Sequence, residues 1–274
     1  MPKTDVILSK CRAEILRLFA SYVNLTGSHI QHLTGRPAKT IERDLRWLRE
    51  NGYLVCKDHP LEKFGPLVWR LAQQGWDWCL DEKLFDKRVN ATDDKGDGNL
   101  PHDLVLTDLH IKFHDLYGDD LYWTQLYQHC YRRFDSGVND RVNMDAFTSF
   151  PVGNEHVVFC VEAEKSRDSK KFGKSARGSK AEAYDNYAKG HFQKEYGPGS
   201  DFRVLWTFST AVKAANFAGK LHDEGGSRRH WILDENLIST LTRDSQAFLT
   251  PKDVEYQQAR HRWNAQRLYS LDEA

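Results

Sequence analysis

Glu162 and Glu164 end the apolar run His156–Val161, in the stretch HVVFCVEAEKS. A short run of that composition reads as a buried strand, and positions i and i+2 of a strand face the same way. A carboxylate at the end of a buried strand is costly unless it is paired or coordinated. Asp145 lies on the preceding strand-like segment, Val142–Phe150, pointing opposite to Val142, Met144 and Ala146. The turn Pro151–Asn154 makes the two segments a hairpin, which sets three carboxylates on adjacent strands. Such an oxygen-rich group suits a hard cation, Mg2+ or Mn2+. A metal at Asp145, Glu162 and Glu164 would lower the pKa of bound water and polarise a phosphodiester. The bland alternative is a strand-end salt bridge of Glu162 and Glu164 with Lys165 and Arg167.

The chain downstream is basic, with nine Lys/Arg against three Asp/Glu over 165–194. A long helix over about 175–196 is expected there. Lys165, Lys170, Lys171, Lys174 and Lys180 are candidates for phosphate contacts, and Lys165 and Lys180 are also candidate catalytic residues beside the acidic group. His102, on an expected helix 100–117, titrates near neutral pH and is a candidate general acid or base; a capping or surface role is its bland reading. Tyr184 and Tyr187 are either packing residues or nucleophiles for a phosphotyrosine bond, which would require an activating base. Trp206 and Trp231 sit in apolar strands and read as core. The chain has no Walker-type phosphate loop and no HExxH, so nothing supports an ATPase or a zinc protease.

The elements that must position these groups form two blocks. In the first, Ala13, Leu16, Ala20 and Val23 recur at helical spacing. Thr26 or Ser28 can cap a short helix, SHIQHLT, and Gly35 is a turn residue. Pro37 suits the first turn of the next helix, where Ile41, Leu45 and Leu48 face a core and leave Lys39, Thr40, Arg43 and Arg46 outside. Asn51-Gly52 ends it. Tyr53–Cys56 and Leu67–Leu71 then flank a Pro/Gly connection as a two-stranded wing. Helix, turn, basic helix and wing form a winged helix-turn-helix, whose second helix reaches base edges while its cations meet phosphates. Double-stranded DNA is the expected partner; a helical hairpin with a solvated basic face is the alternative.

The second block reads as α-β-β-β-α-β-α-β, with a helical tail over 251–269. We expect domains at 1–88 and 101–274, joined by the Asp/Asn/Gly-rich linker 89–100. The fold class is thus α+β: a winged helix followed by a mixed sheet flanked by helices. With 39 basic and 39 acidic residues the net charge names no partner. The five cysteines form no CxxC and no zinc pattern, and are expected to be reduced. The start, MPKTDVILSKCRAE, lacks a signal-peptide core and no long apolar run follows. A cytoplasmic protein without a membrane segment is expected.

The order α-β-β-β-α-β, with an Asp on the second strand and Glu-x-Glu on the third, resembles the PD-(D/E)xK nuclease fold. The resemblance implies a restriction-endonuclease-like core in which Asp145 and Glu162 bind metal and Glu164 stands where the family has a Lys. Met144 replaces the family's Pro, and Lys165 falls one position late. With the winged helix, His102 in PHDLVLTDLHIKF, the MDAF strand, VFCVEAEKS, Lys180 and Tyr184, the chain is similar to the replication-relaxation family, which includes MobC-type plasmid relaxases. That implies metal-dependent nicking at a site such as a transfer origin, with relaxosome or coupling proteins, or a second copy of the chain, as partners. The competing reading is a non-catalytic DNA-binding regulator of plasmid replication or transcription. Glu164 in place of Lys favours the regulator, and the three carboxylates favour the nickase.

Overall fold

The computed structural model describes residues 8–58, 65–84, 100–125, 130–134, 141–164, 180–257, 262–265 and 267–274. The chain divides into two units, Met1–Thr107 and Asp108–Ala274. In the first, α1 (Lys10–Ser21) buries Ala13, Ile15, Leu16 and Phe19. It leads through β1 (Leu25–Thr26) into α2 (Gly27–Thr34). The Thr26 hydroxyl accepts the His29 amide, and the His29 ring accepts the Thr26 amide, a reciprocal cap that satisfies two donors at once. Gly35 closes α2 in the left-handed region at φ 64°, a conformation that costs glycine nothing.

Helix α3 (Ala38–Glu50) buries Ile41, Leu45 and Leu48 as their spacing dictates. Pro37 stands just before the first turn rather than inside it. β2 (Leu54–Lys57) and β3 (Val68–Leu71) pair antiparallel, and β1 joins the far side of β3. This is the three-helix, three-strand layout of a winged helix. A further helix, α4 (Gln73–Asp81), falls in the acidic stretch that precedes the expected linker. α5 (Leu100–Tyr117) packs Leu100 and Leu104 with Val68, and the Thr107 hydroxyl donates to the Asn24 carbonyl at 3.0 Å. The division between the units therefore falls inside α5, after Thr107.

The second unit contains β4 (Tyr122–Thr124), β5 (Tyr131–Arg133), β6 (Arg141–Asn143), β7 (Ala146–Val152) and β8 (Glu155–Glu164). Helices α6 (Lys180–Ala188) and α7 (His191–Tyr196) follow, then β9 (Arg203–Phe208), α8 (Ala211–Asp223) and β10 (His230–Asp234). β11 (Phe248–Leu249), β12 (Val254–Gln257) and β13 (Arg262–Ala265) complete it. The main sheet has the order β11-β10-β9-β8-β7-β4. The pairs β4–β7, β7–β8 and β10–β11 are antiparallel, whereas β8–β9 and β9–β10 are parallel. Parallel pairs require crossovers: α6 and α7 lie on the β8–β9 connection and α8 on the β9–β10 connection. The fold is α+β, with a mixed sheet flanked by helices.

Three local expectations are corrected. The segment 142–150 is not one strand: Met144 donates its amide to Cys130 and Asp145 to Val161, which separates β6 from β7. The expected helix 175–196 breaks between α6 and α7 at Gly190, which adopts φ 96°; 175–179 lie outside the described residues. The tail 251–269, expected to be helical, instead forms the antiparallel pair β12–β13. Among the described residues no helix is long and apolar enough to cross a membrane.

Candidate functional site

Two faces carry the expected site residues, one in each unit. On α3, the buried stripe turns the opposite side outward, so Lys39 is exposed and Thr40 half-exposed. The Arg43 and Arg46 side chains are 72% and 60% exposed. Arg46 meets Glu42 at 3.1 Å one turn away, an exposed pair of the kind worth little in water. Asp44, buried at 3% exposure, holds the helix from behind. It meets Arg12 of α1 at 3.4 Å and Arg36 of the α2–α3 turn at 3.2 Å, while the Arg12 guanidinium lies 3.9 Å over the Trp47 ring. The sequence reading missed this clamp. Its signal was a carboxylate between two apolar positions, Ile41 and Leu45, on an otherwise basic helix.

In the second unit, the β7–β8 register pairs Ala146 with Val161, which brings Asp145 level with Glu162. The Asp145 Oδ2 accepts the Ala163 amide at 3.0 Å, so this carboxylate continues the ladder where the β7 backbone leaves it. Glu162 is 2% exposed. Its Oε2 receives the Lys180 ammonium and its Oε1 the Tyr184 hydroxyl. Lys180 and Tyr184 stand at i and i+4 of α6, hence on one helix face. Glu164, two positions on from Glu162, is half-buried.

Burial pushes the Glu162 carboxyl well above the usual carboxylate range; Lys180 opposes the rise and Asp145 adds to it. Burial works against charge on Lys180 too, but the carboxylates of Glu162, Asp145 and Glu164 hold its ammonium above the ordinary lysine range. The Tyr184 hydroxyl is raised strongly, by burial first and by Glu162 second. Tyr187 is raised by burial and by Glu195, which accepts its hydroxyl at 2.6 Å. Both candidate nucleophiles are thus buried phenols that donate to carboxylates.

Asp145, Glu162, Glu164 and Lys180 are brought to one end of the sheet. His102 lies in the other unit, half-buried, with its Nδ1 3.1 Å from Asp103 Oδ1. Lys165, Lys170, Lys171 and Lys174 lie outside the described residues. The carboxylates offer oxygen donors of the hardness that Mg2+ or Mn2+ prefers. As arranged, however, Glu162 already has a cation in the Lys180 ammonium, which a divalent ion would have to displace or share. Among the described residues no three His, Cys, Asp or Glu side chains converge to hold a metal ion. The geometry by itself makes a desolvated carboxyl beside an ammonium, a pair able to hold one proton or one cation.

No protein-family model and no curated protein matches the chain. Among solved structures it is similar to ZitR from Lactococcus lactis, at 19% identity and a TM-score of 0.26, over 30% of this chain. The match spans 56% of the ZitR chain. It is also similar to TrmBL2, described as an archaeal chromatin protein with a novel mode of DNA binding, at 10% identity and a TM-score of 0.21. That match covers 83% of this chain and 73% of TrmBL2. Likenesses this distant carry no weight beside the chain's own geometry.

Proposed function

We propose that this protein binds double-stranded DNA through α3 of its winged helix. The observation that carries the reading is the division of α3 into a buried apolar stripe clamped through Asp44 and an outward face bearing Lys39, Arg43 and Arg46. A helix so braced suits the major groove, with its cations on phosphates. Their exposed intrachain pairs are cheap to exchange for phosphate contacts. Replacing Arg43 and Arg46 by Ala should weaken duplex binding and reduce the slope of log affinity against log salt by about 1.8 for two phosphates. Affinity unaltered by either the substitutions or the salt would reject the reading.

A second reading is favoured by the grouping of Asp145, Glu162, Glu164 and Lys180: metal-dependent nicking of DNA, as in a relaxase of a plasmid or integrative element. Asp145, Glu162 and Glu164 would hold Mg2+ or Mn2+, which supplies a water nucleophile at neutral pH when bound. Lys180, freed from Glu162, would stand beside the scissile phosphate. His102 as general acid or base, a nucleophilic Tyr184 or Tyr187, and accessory relaxosome proteins belong to this reading alone. Supercoiled plasmid incubated with Mg2+ or Mn2+ tests it: Asp145→Asn and Glu162→Gln should each abolish nicking and leave duplex binding intact. If the wild type leaves the plasmid uncut with either metal, this second reading fails and a non-catalytic DNA-binding regulator is the reading that remains.

A further inference from the structure

Helices α6 and α7 present a second face, built around Glu195 rather than Glu162. Arg132 Nε meets Glu195 Oε1 at 2.5 Å, and the Tyr187 hydroxyl donates to Oε2 at 2.6 Å. These three groups wall a cleft of about 280 Å³, completed by Arg133, Phe134, His191 and Lys194. Three lining side chains are permanently cationic and one is anionic, and both oxygens of that anion are engaged within the wall. Among the described lining residues the cations thus outnumber the anions, and Arg133 and Lys194 are exposed at the rim.

Aromatic rings interleave with these cations. Phe134 lies against Tyr187 at 5.5 Å and His191 at 4.7 Å between ring centres. Beyond Arg132 the surface continues onto Tyr196, whose hydroxyl accepts Arg132 Nη2 at 3.1 Å. Tyr196 is 41% exposed and stacks on Phe192 at 4.5 Å and on Phe147 at 5.8 Å. Phe147 in turn meets Tyr122, 46% exposed on the edge strand β4, at 6.2 Å. Exposed rings beside a cationic cleft match an unpaired strand, in which phosphates meet cations and base faces meet rings. A duplex keeps its base faces inside the stack and has no use for the rings.

We propose that this face of the C-terminal unit binds single-stranded DNA, with a phosphodiester between Arg133 and Lys194 and a base on Tyr196. The face itself is independent of α3; only the choice of DNA over RNA rests on the duplex-binding reading. Fluorescence anisotropy of the full chain with a labelled short oligo-thymidylate tests it. The double variant Arg133→Ala/Lys194→Ala, at two exposed positions, should weaken binding by about tenfold and lower the salt slope by about 1.4. Tyr196→Ala should weaken it by at least about fivefold, while Tyr196→Phe, which keeps the ring, should bind as the wild type does. Arg43→Ala/Arg46→Ala should leave oligo-thymidylate binding unchanged, so failure of the α3 reading and failure of this one are told apart. If Tyr196→Ala does not fold by circular dichroism, the Arg133/Lys194 variant decides. A wild type that does not bind the oligonucleotide, or a double variant that binds it equally well, would overturn the proposal; tighter binding of oligo-uridylate would overturn its assignment to DNA.

Discussion

Lys180→Met removes the cation from Glu162 and keeps an unbranched side chain of similar length. Breaking a buried ion pair by deleting one partner costs about 3–5 kcal/mol, because the other charge is left desolvated. Glu162 is 3% exposed at its side chain, but Lys180 is 37% exposed. Water already screens part of the pair, and the Tyr184 hydroxyl still donates to Glu162 in the variant. We therefore expect a loss of about 2 kcal/mol at about pH 7. The acid dependence gives the sharper check. Without Lys180 the folded-state pKa of Glu162, already raised by burial, rises further above its unfolded value. A raised group contributes stability below its unfolded pKa and loses it as pH climbs through its folded pKa. The deficit of the variant should accordingly shrink as the pH is lowered and Glu162 takes up its proton in both proteins. Urea unfolding followed by tryptophan emission reads this directly, since Trp206 lies 6.1 Å from the Tyr184 ring. Glu162→Gln in the same background should recover most of the loss at neutral pH. A deficit below about 0.5 kcal/mol at neutral pH, or one that grows as the pH is lowered, would refute the picture of a desolvated carboxyl held by Lys180.

Asp44→Asn should destabilise the N-terminal unit by about 2–3 kcal/mol in thermal or urea unfolding, since Arg12 and Arg36 lose a buried partner; a change within experimental error would make the clamp ornamental. Gly75→Ala should reverse the usual sign for an alanine in a helix. Its Cβ would fall 2.2 Å from the Tyr53 carbonyl oxygen and 2.9 Å from Leu71 Cδ2, so unfolding at lower urea is expected where propensity alone promises a gain of about 1 kcal/mol. Burial raises the thiols of Cys79 to about 11 and Cys130 to about 12, and pushes Cys160 well above the ordinary thiol range. Iodoacetamide at mildly alkaline pH should therefore modify exposed Cys11 and spare those three; peptide mass mapping that finds Cys160 labelled in the folded protein would contradict this.

What the sequence revealed about the fold was local in origin. The α3 stripe, the Thr26 cap and the stops at Gly35 and Gly52 each depend on neighbours within a few positions, and each stands where its spacing puts it. The errors arose where distant backbone decides. Val142–Phe150 alternates as one strand, yet Met144 is claimed by Cys130 and Asp145 by Val161. The tail carries no strong period, and pairing of Val254 with Ala265 settles it as strand. The candidate site divides in the same way. Asp145 and Glu162 were legible from strand spacing, but the partners of Glu162 come from α6, across a crossover. Lys180 and Tyr184 shared a helix face in the sequence without anything to say what that face would meet. Asp44 was invisible for the same reason, since its arginines come from α1 and the α2–α3 turn.

The parallel register of β8 with β9 sets Glu162 opposite Trp206, and this has a consequence for the order in which the unit assembles. β7 and β8 are joined by a tight turn at Gly153 and close early, because local pairing costs little chain entropy. β9 must return across the whole crossover before it can dock, so its pairing comes late. Until then the Glu162 carboxylate faces water. Its dehydration accompanies the last long-range closure, together with the landing of Lys180 and Tyr184. The electrostatic cost of the site is thus expected to fall on the last long-range pairing, that of β9 with β8, and Glu162→Gln is expected to lighten it.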